Sequence, residues 1–101
     1  MKFPRIELDE KILIDLSQKY NIVELSLFGS ILRDDFSKDS DIDILVEFSP
    51  DAQYSFFDIL HIKEDFQKKL GRVIDLIEKE GIKNPYRRNE ILSTNKVIYA
   101  A

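Results

Sequence analysis

Cysteine is absent from the chain, which excludes disulfide staples, thiolate zinc sites and a cysteine nucleophile. The absence is compatible with a reducing compartment. Histidine occurs once, at His61, on a stretch with helical spacing and without a partner motif. It reads as a part-exposed helix residue and not as a general base. No apolar run approaches a membrane span, and Met1 to Glu10 carries charges throughout, with no signal-peptide core. A cytoplasmic location is the expectation. Basic excess is also missing: 15 Lys and Arg stand against 19 Asp and Glu, a formal net charge of -4. That balance argues against a nonspecific nucleic-acid-binding face and suits acidic residues gathered to hold metal cations. Repeats, low-complexity stretches and linkers are lacking too. A length of 101 residues then predicts one domain over 1–101.

What is present is a dense succession of periodic segments. Ile12, Leu13, Leu16 and Tyr20 fall at helical spacing, with Asp9 as cap and Asn21 as stop. Val23, Leu25 and Leu27 alternate with Glu24 and Ser26, a strand that ends at Phe28-Gly29. A helical turn is expected from Ser30 to about Arg33, then a polar loop. From Asp41 a second strand puts Ile42, Ile44, Val46 and Phe48 on one face and Asp41, Asp43 and Leu45 on the other. Ser49-Pro50-Asp51 makes a turn, and Ser55 with Asp58 starts a helix. Its apolar stripe is Phe56, Ile59, Leu60, Ile62, Phe66 and Leu70, closed by Gly71. Phe56, Phe57 and Phe66 are expected in the core. Arg72 to Ile77 predicts a third strand with Asp75 on the face of Val73 and Ile77. Asn84-Pro85 starts a last helix that ends near Asn95, and Val97 to Tyr99 adds a short edge strand. The order predicts a small α/β domain, a mixed sheet with helices packed on one face.

The chemistry concentrates in Gly29-Ser30, followed ten residues later by Asp41-Ile42-Asp43. Gly29 lets the backbone turn sharply at a strand end and approach a phosphate. Ser30 offers a hydroxyl and the following amides, where anions bind. Asp41 and Asp43, two apart on a strand, project the same way and repel each other unless a cation lies between them. Such oxygen ligands suit magnesium, completed by water and substrate phosphates. Two such ions can activate an attacking oxygen and stabilise a leaving pyrophosphate. Asp75 sits in the apolar run Val73-Ile74-Asp75-Leu76-Ile77, where a charge needs a partner. It can complete the site or act as base toward an acceptor hydroxyl.

The stretch Leu27-Phe28-Gly29-Ser30-Ile31-Leu32-Arg33-Asp34-Asp35, then Asp39-Ser40-Asp41-Ile42-Asp43-Ile44-Leu45-Val46, resembles the signature of the minimal nucleotidyltransferases in the polymerase-β-like superfamily. Val73 to Ile77 resembles that family's third-carboxylate strand, and Pro85-Tyr86 to Tyr99 its final helix and strand. The resemblance implies the polymerase-β-like fold and a magnesium-dependent transfer of AMP from ATP to a tyrosine of a HEPN ribonuclease toxin, which this chain would silence as the antitoxin. It also implies that Asp41, Asp43 and Asp75 hold two magnesium ions and that Gly29, Ser30 and Arg33 contact the triphosphate. Asp34 departs from the family pattern, which has glycine there in many members.

Each residue also has a plainer role. Gly29-Ser30 serves as a strand-to-helix turn, Asp41 and Asp43 as solvated acids, Asp75 as half of an ion pair. Arg33 can equally pair with Asp34, Asp35 or Asp39. Arg87-Arg88 reads as a solvated helix face or a contact for an acidic partner. Two other functions compete with protein adenylylation. One is a binding module that neutralises its partner by forming a complex. The other is a transferase acting on a small molecule or RNA.

Overall fold

The computed structural model describes residues 1–101. Asp9 is extended, and its carboxylate accepts the Lys11 N–H at 3.0 Å, which caps α1 (Glu10–Lys19). Asn21 ends that helix with φ 54°, a left-handed conformation asparagine tolerates better than most residues. Strand β1 (Ile22–Phe28) follows, then a 3-10 turn, Gly29–Leu32. After the polar loop comes β2 (Ile42–Phe48).

Ser55 and Asp58 cap α2 (Phe56–Leu70) reciprocally, the Ser55 N–H donating to Asp58 at 2.8 Å and the Asp58 N–H to Ser55 Oγ at 3.2 Å. Gly71 closes the helix at φ 68°. Strand β3 (Ile74–Glu78) leads into an unexpected 3-10 turn, Lys79–Gly81. Asn84 Oδ1 accepts the N–H groups of Tyr86 and Arg87 at the start of α3 (Pro85–Thr94), and β4 (Lys96–Ala100) ends the fold. A bridge between Lys2 and Glu7 was not legible in the sequence.

The strands form one sheet in the order β3-β2-β1-β4. β1 pairs antiparallel with β2 and β4, and β2 pairs parallel with β3 across the α2 crossover. Leu25, Leu27, Ile42, Ile44 and Ile74 bury one face against Leu13 and Leu16 of α1 and Ile62 and Phe66 of α2. No helix is long and apolar enough to cross a membrane.

Two expectations need correction. Helices α1 and α2 do share one face, but α3 lies against the other, where Ile91 packs with Phe28, Leu45 and Ile82. The strands turn Phe28 and Leu45 to that second face, and these apolar side chains need cover of their own. Phe66 is fully buried, but Phe56 and Phe57 are 71% and 79% exposed. Both sit in the first turn of α2, and helical side chains lean toward the N-terminus, so this turn overhangs the core.

Helices α1 and α2 are tied at Asp65. Its carboxylate accepts the Tyr20 hydroxyl and, at 2.9 Å, the Lys19 ammonium, while Lys69 stands 3.8 Å away. The Tyr20 and Lys19 donors hold the Asp65 carboxyl down at about 2. A depressed carboxyl stabilises the fold above its ordinary value of 3.8 and loses that contribution as the pH falls toward 2. Asp65→Asn is therefore expected to cost about 2 kcal/mol at neutral pH, with the deficit shrinking between pH 4 and 2. Urea unfolding of both proteins across that range checks it; a deficit independent of pH would refute the assignment.

Candidate active site

The second face of the sheet carries the acids. Parallel pairing sets Asp43 of β2 directly beside Asp75 of β3, and antiparallel pairing sets Phe28 of β1 opposite Asp43. Asp41 lies one residue before β2 and is exposed. Gly29, the residue after Phe28, has φ +75°, and a Cβ built there would run into the Asp43 carboxylate. The close approach of Gly29 to an acid, inferred from the sequence for a phosphate, is thus a packing fact about the two strands themselves. The loop tolerates Asp34 without strain, since Asn21 is the only non-glycine residue with positive φ.

None of Asp41, Asp43 and Asp75 takes part in an ion pair. Asp43 is pushed up to about 6, first by burial and then by the negative charges of Asp75 and Asp41; Arg87 and Arg33 oppose this. Such a set of acids without ion-pair partners suits a hard divalent cation. The acids do not by themselves close a cage of three around one point. The donor set fits magnesium in its usual manner, through one or two carboxylates with water and substrate phosphates supplying the rest.

The segment before Asp41 is held by the residues that lead into β3. The Arg72 guanidinium donates to the carbonyls of Ser37 at 2.8 Å and Ser40 at 2.7 Å, and it lies 4.7 Å over the ring of buried Phe36. The Ile42 N–H donates to the Val73 carbonyl at 3.0 Å. Arg72 therefore couples the approach to Asp41 with the approach to Asp75, a role its place at the head of a strand did not reveal.

Ser30 is part-exposed, beside Gly29. The turn it belongs to has four residues, Gly29–Leu32, so no helix macrodipole builds up there and anion binding would rest on the hydroxyl and individual amides. Arg33 pairs with Asp35 through Nε at 3.1 Å, with both side chains largely exposed, and such a pair yields easily to a competing anion. Arg87 is exposed, in line with the solvated helix face read in the sequence, and with Arg33 it borders a cleft of about 200 Å³ lined also by Phe28, Gly29, Glu90 and Ile91. Arg88 beside it donates to the Lys79 carbonyl at 2.6 Å. A larger cavity of about 550 Å³, lined by Phe48, Tyr54 and Glu78, lies at the other end of the strands, away from the acids. His61 is exposed on α2, a helix that packs on the sheet face opposite the acids.

Residues 9–98 match the family model of the nucleotidyltransferase domain. A Methanocaldococcus jannaschii relative, MJ1379, provisionally named a protein adenylyltransferase, is 42% identical over 76 residues, 75% of this chain and 76% of that one. A crystal structure of a toxin-antitoxin with AMP-PNP shares the fold at a TM-score of 0.77 and 19% identity, covering 93% of this chain and 75% of that chain. A complex of a tri-AMPylated Shewanella oneidensis HEPN toxin with an MNT antitoxin shares it at a TM-score of 0.68 and 17% identity, covering 91% and 70%. The chain belongs to the nucleotidyltransferase domain family and is one of its minimal, polymerase-β-like members.

Proposed function

We propose that this protein is an antitoxin that transfers AMP from ATP to a tyrosine hydroxyl of a HEPN-type ribonuclease toxin, releasing pyrophosphate. The observation that carries the reading is the unpaired set of Asp41, Asp43 and Asp75 on the sheet face that the Gly29 turn approaches. The names of the M. jannaschii relative and of the two structural neighbours support the acceptor and the donor. A reaction that consumes ATP and silences an intracellular ribonuclease belongs in the cytoplasm.

In this reaction the tyrosine oxygen forms a bond to the α-phosphorus of ATP. The bond from that phosphorus to its bridging oxygen breaks, and pyrophosphate leaves with the electron pair. A phenol has an ordinary pKa of about 10 and needs a base at neutral pH; Asp75 takes the proton. Asp41 and Asp43 would hold two magnesium ions, which would supply charge neutralisation for the triphosphate. Gly29 leaves the backbone room beside the phosphates, and Ser30 donates its hydroxyl to them. Arg33 and Arg87 offer positive charge in the adjoining cleft, which Glu90 also lines.

Co-expression with a HEPN protein encoded by the neighbouring gene, followed by intact-mass measurement, tests the proposal. The expected result is a mass gain in multiples of one AMP unit, absent with Asp41→Asn. A partner that stays unmodified yet is neutralised by tight binding would replace this reading with that of a binding module.

A further inference from the structure

Strand β3 ends the sheet on the side of the acids: β2 covers one of its edges and no strand covers the other. Hydrogen bonding of Ile42 N–H to the Val73 carbonyl fixes which backbone groups face which way. By strand alternation, those of Val73, Asp75 and Ile77 face β2, and those of Ile74, Leu76 and Glu78 face outward. The Ile74 N–H is taken by Gln67 Oε1 at 3.1 Å. Leu76 and Glu78 make none of the backbone hydrogen bonds found outside the regular helices and strands. An edge of this kind is a template for another backbone.

We propose that this edge receives an extended, basic segment of the acceptor protein as an added strand, which lays the acceptor hydroxyl beside Asp75. The inference rests on the protein-acceptor reading above. Two observations select the occupant. Outward N–H and C=O groups in strand spacing match a polypeptide backbone and nothing small. The charged side chains of β3 itself are both acidic, Asp75 and Glu78, and Lys79, the residue that follows, is paired with Glu24 at 3.7 Å. Neighbouring strands lie about 4.8 Å apart, so a side chain of the added strand on the Asp75 face comes within reach of that carboxylate. The opposite edge, β4, is separated from β3 by two strands and cannot deliver a hydroxyl there.

Glu78 offers a clean probe. It is exposed, with φ −79°, a backbone that proline adopts without strain. Its N–H faces outward, so Glu78→Pro removes an edge donor and leaves the β2 ladder intact. The experiment uses the HEPN acceptor with magnesium and ATP. It measures labelled AMP transfer by wild type and Glu78→Pro, their ATP affinity by calorimetry, and exchange of the Leu76 amide in wild type with and without acceptor. The expected result is transfer reduced about tenfold in the variant, the loss of one hydrogen bond, with ATP affinity unchanged. Leu76 exchange is expected to slow when the acceptor is present. Leu76 exchange that the acceptor leaves unchanged overturns the proposal whatever the variant does, including a variant that fails to fold. Wild type that binds ATP yet never modifies the acceptor overturns the acceptor reading instead, and this inference with it.

Discussion

Asp43→Asn is expected to reduce AMP transfer by about 1000-fold or more while the metal-free protein becomes more stable. Both effects come from the same geometry. Asp43 stands beside Asp75 across β2 and β3 and is approached by Gly29. Asparagine keeps the shape and removes the charge on which the proposed divalent binding depends. Burial and the charges of Asp75 and Asp41 raise the Asp43 carboxyl from its ordinary 3.8 to about 6 in the fold. A raised acid favours the folded state below 3.8 and loses that contribution as the pH rises through 6. At pH 7.5 the ionised Asp43 therefore burdens the fold, and its removal is expected to gain about 1 kcal/mol after allowance for solvent screening. Denaturant unfolding in a chelating buffer should show the gain at pH 7.5 and its disappearance near pH 4. A labelled-ATP assay reads the activity; full transfer by the variant would remove the acids from the chemistry.

Gly29→Ala should be nearly as damaging, for a steric reason. The position holds φ +75° and faces the Asp43 carboxylate with no space for a methyl group. The left-handed conformation alone costs an L-residue roughly 1–2 kcal/mol, and the collision adds the displacement of Asp43 or of the turn. A shift of that size at a reacting centre is expected to slow transfer about 100-fold. Gly71→Ala is the matched control. Its φ is +68°, with nothing within 4 Å of a built Cβ, so it should show the backbone penalty and keep full activity. Comparable stability and transfer in the two alanine variants would refute the collision argument.

The sequence made most of this fold legible because its signals are local. Alternation in Val23–Leu27 and Ile42–Phe48, the reciprocal pair Ser55 and Asp58, and Asn84-Pro85 each specify an element through neighbouring residues, and each element is present. The acids at 41, 43 and 75 were recognisable from their spacing and strand context, and the sheet brings 43 and 75 together. What escaped depends on residues far apart in the chain. Arg72 acts on the carbonyls of Ser37 and Ser40, and nothing in the residues around 72 announces that distance. Arg87 reaches the cleft only because Ile91 anchors α3 on the second face. Phe56 and Phe57 satisfied the apolar pattern, and pattern alone does not say where the core stops beneath a helix.

The anchoring of α3 through Ile91, its one buried residue, bears on motion. A helix fastened to the sheet through so little apolar area opens by local unfolding at a lower free energy than α1 and α2, whose side chains enter the larger core. Arg87 rides on that helix. The cleft it borders with Arg33 is thus built partly on the turn at Gly29 and partly on a helix whose amides are expected to exchange by local opening before the sheet unfolds.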